Sequence, residues 1–439
     1  MALRDVLPLT WTLRNDRASI GGVRLRAIAE HFGTPAYVFD MAHLEARLDE
    51  FTSAFDGIGV PVYATKAFIC PALAEMVSSR GWWADVVSVG ETAIARRGGI
   101  PASRILLHGN LKSEAEIDLA ASGQVGITVI DSLDEIDRLA RAARAAGRTV
   151  DVMIRLNEAV DLVTNRKVLT TGDHAKFGLS PDATDQAIAR VAATETLRLR
   201  GLHLHAGSHI TDPELYARIL ERLAAVVARN RSAFTTTPVI LDVGGGMASP
   251  YLRADPKISP AEVAAALRRA LGSPEIVERI GPVEVMVEPG RALVANAAVL
   301  LYTVGVRKPL PGGGEMLALD GGLTDNPRPA LYDSRYELLA DGRLDQPADH
   351  PFRVFGRMCE TDVMLEEVLL PATMAPGDLV AMPAAGAYTF AMSSRYNVLP
   401  RPPVLFVKDG EVREVVRRET LEEVLAGQRT LNETEPLVV

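Results

Sequence analysis

The chain has 439 residues, with 47 Lys and Arg against 56 Asp and Glu for a formal charge of −9. That length suits one large domain plus a second, and the acidic balance argues against a sequence-independent grip on nucleic acid. The composition is globular, and no apolar run approaches the ~20 residues that a membrane helix needs.

The start, MALRDVLPLTWTLRNDRAS, carries no apolar core followed by a cleavage site, so no export signal is read. Cys70 and Cys359 are too few for a disulfide framework and suit a reducing compartment. The expectation is a cytoplasmic enzyme. Next comes RASIGGVRLRAIAEHFGTPAYVFD, whose opening can add a strand to a β-rich domain elsewhere in the chain. Residues 1–35 are assigned to that role.

Between residues 36 and 290, strand-like apolar segments alternate with helical ones. The strand candidates are 60–66, 83–88, 105–110, 126–131, 150–156, 199–205, 239–245 and 283–289. Helical patterns lie between them, such as 132–147 and 213–230, the latter repeating apolar residues at intervals of three and four. Alternation of this kind implies parallel pairing with right-handed crossovers, and eight units match a (β/α)₈ TIM barrel. The rival is a doubly wound open sheet, but no GxGxxG follows the first strand. Beyond residue 291 the segments 298–308, 316–322, 377–383 and 402–418 are short and β-rich, with turns marked by GGG and DG. Residues 291–439 therefore read as a C-terminal β-sandwich or β-barrel domain.

In a barrel, chemistry gathers at the C-terminal ends of the strands. Lys66 ends the first candidate, where a desolvated amine can form an imine; taken alone, a lysine that simply reaches solvent is the commoner case. Gly244, Gly245 and Gly246 end the seventh and can form a phosphate nest or merely a tight turn. Glu288 and Arg291 end the eighth, where a carboxylate can hold a ring nitrogen protonated and a guanidinium can fork onto a substrate carboxylate. His203 and His205 lie on one strand face. They can join His108 and Asp242 around a metal, or His205 alone can stack on a flat cofactor with Ser208 on its phosphate. A strand-end lysine, a phosphate nest, a carboxylate and a stacking imidazole together form a pyridoxal-phosphate site.

The motifs YATKAF, HGNLKSE, KFGL, HLHAGSHI, DVGGG, EPGR, DGGLTDNPRPALY, CET and GAYTFAMSSRYN follow one another along nearly the whole chain. In this order the sequence resembles the fold-type III pyridoxal-phosphate decarboxylases. Within them it is most similar to members acting on meso-2,6-diaminopimelate to give L-lysine and carbon dioxide. The resemblance implies the alanine-racemase-like barrel with pyridoxal 5'-phosphate as cofactor, and calls for no metal. It implies that Lys66 carries the cofactor as an imine, that His205 stacks on its ring and that Glu288 contacts the pyridine nitrogen. Ser208, Gly244, Gly245, Gly246, Gly290, Arg291 and Tyr388 would cradle the phosphate, while Asp85 and Arg155 frame the cofactor. Arg291, Arg328, Tyr332 and Tyr388 would bind substrate. The resemblance further implies a homodimer with shared active sites, in which Cys359 is the proton donor and Glu360 faces the distal amine, both from the partner subunit.

The chain reads CETDV where the family usually reads CESGD, and 157–178 lacks the HTH that often precedes KFG. Related substrates thus remain as alternatives: D-lysine or D-ornithine, carboxynorspermidine, or a carrier-linked amino acid. A non-catalytic regulator of the same fold and a metal-dependent barrel hydrolase are the rivals from other classes.

Overall fold

Eight parallel strands close into a barrel: β1 (Gly59–Ala64), β2 (Trp83–Val86), β3 (Ile105–Leu107), β4 (Ile127–Ile130), β5 (Val150–Arg155), β6 (Leu197–His203), β7 (Val239–Asp242) and β8 (Val283–Val287). Each pairs with the next, and β8 returns to β1 through Met286 opposite Val60, so no sheet edge is left open. Each of the eight segments singled out by the alternation of strand and helix supplies one of these strands. The computed structural model describes residues 3–158, 175–360 and 363–434. Most of the atypical 157–178 segment, residues 159–174, lies outside them, as do Thr361 and Asp362 of CETDV.

The strands are short and rich in Val, Ile and Leu. In β4 and β7 every residue is buried, as expected of parallel strands covered on both faces. Several of the intervening helices begin at side-chain caps. Ser132 Oγ accepts the Glu135 N–H at the start of Leu133–Ala145, and Ser113 and Glu116 form a reciprocal capping box before Glu114–Ala121. The helix Glu214–Arg229 buries Leu215, Ile219, Leu220, Leu223, Val226 and Val227 on one stripe, which fixes its orientation.

The chain divides into two compact units. One holds Leu3–Asp5 and His43–Asn296; the other holds Val6–Ala42 and the chain from Ala297 onward. The long stretch of the first unit thus runs from His43, and residues 36–42 belong to the second unit. The reason is Ala36–Asp40, which pairs antiparallel with Ala298–Pro309 and parallel with Val404–Lys408 in the second unit's sheet. All five of its residues are buried.

The second unit is a mixed sheet of nine strands, accompanied by a three-stranded N-terminal sheet of Thr12–Arg14, Arg17–Ile20 and Val23–Arg24. The twelve-residue strand Ala298–Pro309 organises it. Its first half pairs with Ala36–Asp40 and Leu379–Pro383, its second with Glu315–Leu319. A register shift between Val304 and Val306 separates the halves, and such a bulge lets one strand pass from one sheet face to the next. Ala18, Ile20, Val38, Val299, Leu379 and Leu405 share its core.

Candidate active site

Inside the barrel an apolar layer lies beneath a polar one. Val62, Leu106, Val129, Met153, Ile240 and Met286 pack together, with Trp83 against them. Strand side chains alternate in direction, so the residue two positions further on returns to the same face. At six strand ends that residue is ionisable: Asp85, His108, Asp131, Arg155, Asp242 and Glu288. His203, opposite Asp242 in register, completes the ring from β6. All seven are buried. Burying so many ionisable groups costs stability unless they are paired, and such clusters mark functional sites.

Lys66 stands in the turn Thr65–Ala67 that follows β1. Its Nζ lies 2.6 Å from Oδ2 of Asp85, with the lysine side chain 43% exposed and the aspartate 1%. The amine therefore opens to the barrel mouth while its partner is anchored below. Glu288 Oε1 lies 2.9 Å from His108 Nε2 and 3.5 Å from His203 Nε2, yet forms no aligned hydrogen bond among the described residues. Burial alone would raise this carboxyl; the two imidazoles outweigh it and hold Glu288 well below the usual range.

His205 lies beyond the end of β6 and is held differently from His203. The Gly245 N–H donates to its Nδ1 at 3.1 Å, which leaves the ring proton on Nε2. Burial, then the neighbouring Lys66 charge, pushes its pKa well down, so the ring is neutral. The glycine run cannot carry side chains. Gly244 and Gly246 have positive φ, and a Cβ on Gly245 would meet Glu288 O at 2.1 Å, one on Gly246 the Gly207 O at 2.0 Å. Ser208 follows the end of β6 by five residues and Gly290 follows the end of β8 by three. Arg291 turns to Tyr251, bonding its hydroxyl and lying 5.5 Å over its ring.

Arg155 spans Asp131, at 4.0 Å, and the Phe177 ring, at 4.4 Å, while Gly178 N–H donates to Asp131. The KFGL segment is thereby tied to β4 and β5. Lys112 of HGNLKSE is structural: its buried Nζ reaches Gly109 O, Val129 O and Glu135 Oε1 at 2.9, 2.7 and 2.6 Å. Tyr251 and the His108–His203 contact with Glu288 were not read as cofactor-site elements from the sequence. The same-face spacing of strand-end residues carried a signal for the histidines; Tyr251 had none. The His-x-His pair does not act as a unit. The four donors that do converge are His108, His203, Asp242 and Glu288, with ligand atoms within 4.8 Å of one another.

The remaining candidates lie in the second unit. Arg328 is buried, donating to Tyr336 Oη at 2.9 Å and Ser334 Oγ at 3.2 Å. Its guanidinium lies 5.6 Å from the Tyr332 ring and 5.8 Å from the Tyr388 ring, so these three candidates are together. Cys359 is exposed, its N–H bonded to Asn397 Oδ1, with Glu360 beside Tyr396.

The barrel residues fit pyridoxal phosphate. Lys66 offers an accessible amine, Glu288 a buried oxygen without a hydrogen-bond partner among the described residues, His205 a fixed flat ring, and the glycine run a cradle that any Cβ would fill.

Residues 41–295 match the family model described as pyridoxal-dependent decarboxylase, pyridoxal binding domain. The chain is 36% identical over 415 residues to the diaminopimelate decarboxylase of Bacillus subtilis (strain 168), covering 92% of this chain and 94% of that one. It is 40% identical over 426 residues to that of Actinosynnema pretiosum subsp. auranticum, covering 95% and 94%. Among solved structures, diaminopimelate decarboxylase of M. jannaschii in co-complex with L-lysine superimposes with a TM-score of 0.89 at 26% identity, covering 97% and 98%.

Proposed function

The chain belongs to the family of pyridoxal-dependent decarboxylases, and from that premise we propose that it converts meso-2,6-diaminopimelate to L-lysine and carbon dioxide, the last step of lysine biosynthesis. Its cofactor is pyridoxal phosphate. The observation that carries the reading is the convergence of Lys66, His205, the Gly244–Gly246 run and Glu288 at one end of one barrel, in a chain similar to diaminopimelate decarboxylases along most of its length.

Bound pyridoxal phosphate supplies the electron sink that stores the pair released when the Cα–carboxylate bond breaks. The chain's own groups do the rest. Lys66 would hold the cofactor through Nζ, and Asp85, 2.6 Å away, would orient that nitrogen. His205, neutral and pinned by Gly245, backs the ring on one face. Glu288 holds the proton at the ring nitrogen, and Arg155 frames the site. Ser208, the glycine run, Gly290, Arg291 and Tyr388 bind phosphate. Arg291, Arg328, Tyr332 and Tyr388 bind substrate. For Arg328 the support is a buried cation flanked by two tyrosine rings, a setting that favours a bidentate carboxylate partner. Cys359 returns a proton to Cα and Glu360 takes the distal amine, both from the partner subunit of a cytoplasmic homodimer.

The test is carbon dioxide release from a panel of amino acids with added pyridoxal phosphate. Diaminopimelate is expected to be turned over, and D-lysine, D-ornithine and carboxynorspermidine rejected. Equal turnover of D-lysine or D-ornithine overturns the substrate.

A further inference from the structure

Resting on that reading, we propose that Asp242 is a positioning residue for Glu288: it is buried as a protonated carboxylic acid and directs its hydrogen bond to the Glu288 carboxylate. Asp242 is fully buried at the end of β7. Its Oδ1 is committed to the Gly244 N–H at 2.8 Å, and its Oδ2 has no hydrogen-bond partner among the described residues. A bare anionic oxygen in that position would carry its full desolvation cost. A protonated one is a donor in need of an acceptor. Glu288 Oε1 is an acceptor in need of a donor and belongs to the same cluster, whose ligand atoms all lie within 4.8 Å of one another.

The charges around Asp242 point the same way. The groups in the polar layer are Asp85 from β2, His108 after β3, Asp131 after β4, Arg155 from β5, His203 from β6, Asp242 itself and Glu288 after β8. Lys66 and His205 stand above them. Among the described residues the cations of this group are Lys66, at 2.6 Å from Asp85, and Arg155, at 4.0 Å from Asp131. Glu288 has two imidazoles. Among the described residues Asp242 is in no ion pair, and the Arg155 charge that reaches it is shared with Asp131, Glu288 and Asp85. Two carboxyls this close and this dry share one proton, and the better-solvated member of such a pair stays charged. Burial and then the Glu288 charge push Asp242 well above the usual carboxyl range, while His108 and His203 hold Glu288 below it.

A neutral donor suits the chemistry better than a cation would. It orients Glu288 without cancelling the charge that must hold the ring nitrogen protonated. Because Gly244 N–H fixes Oδ1, the glycine turn that shapes the phosphate cradle also sets the direction in which Asp242 points. The aspartate of the DVGGG motif thereby couples the phosphate end of the site to its ring-nitrogen end.

Infrared spectroscopy of the holoenzyme reads the protonation directly. A protonated-carboxyl stretch is expected in the wild type and lost in Asp242→Asn. Its absence from the wild type, or its persistence in the variant, overturns the proposal. Kinetics adds a second readout. Asp242→Ala is expected to lower kcat about tenfold or more, the worth of one hydrogen bond to a charged group, with KM little changed. Asp242→Asn, shaped like the neutral acid, is expected to recover most of that loss. Equal losses in both variants, or none in Asp242→Ala, would mean that no neutral donor is used. If wild-type protein fails on diaminopimelate but shows the band, the substrate reading falls and this one stands.

Discussion

Lys66 Nζ lies 2.6 Å from Asp85 Oδ2, an ion pair with its anion buried below and its cation facing the barrel mouth. β1 and β2 are neighbours in register, Ala64 opposite Asp85, so the pairing follows from the barrel itself. The lysine is held in place while its amine stays accessible.

That arrangement predicts a yellow protein when purified with its cofactor, and borohydride reduction fixing the chromophore to Lys66. A peptide map locates the adduct. An adduct on another lysine, or none, removes Lys66 from its assigned role.

Glu288→Gln is expected to keep the cofactor and lose turnover on the order of 10²-fold, the cost of removing one group that stabilises transition-state charge. The amide fits the space between His108 and His203 but cannot hold the ring nitrogen protonated. Cofactor titration with steady-state rates checks both halves; near-normal kcat would make Glu288 structural.

Arg328→Ala is expected to raise KM for diaminopimelate about 30-fold or more, since a buried guanidinium paired with a carboxylate is worth several kcal/mol. The cofactor spectrum should not change. A shifted spectrum with an unchanged KM would place Arg328 outside substrate recognition.

Lys66 belongs to the first unit and Cys359 to the second. If subunits exchange these parts across a two-fold axis, mixing inactive Lys66→Ala with inactive Cys359→Ala restores roughly a quarter of wild-type activity by random pairing. Mixtures that stay inactive after proven subunit exchange would show that each chain completes its own site.

His203 has its pKa lowered to about 4, because burial outweighs the attraction of Glu288. Its folded pKa lies below the unfolded value of about 6.5, so between those values the unfolded chain binds the extra proton. The stability His203 contributes is complete above pH 6.5 and is lost as the pH falls towards 4, at up to about 1.4 kcal/mol per unit. Urea titrations across that range should show the decline, and His203→Gln should flatten it. An unchanged slope would assign the acid sensitivity to other groups.

The barrel was legible in the sequence because its signals are local. Apolar strands buried on both faces, helices with caps and amphipathic stripes, and glycines that tolerate no Cβ each leave their mark within a few residues. Lys66, His205 and Glu288 were singled out by their place at strand ends in the same alternation, whereas Asp85 and Arg155 entered only through the family resemblance. The place of Ala36–Asp40 was not local: its partners are Ala298–Pro309 and Val404–Lys408, hundreds of residues away, and no nearby residue records that pairing. The same holds for Arg291 with Tyr251, and for His108, His203 and Asp242 around Glu288. Their separation in the chain hides them, and barrel closure brings them within a few ångströms. Sequence by itself determined which groups stand at the strand ends; closure decided which of them share a charge, because burial makes each carboxyl depend on neighbours contributed by other strands.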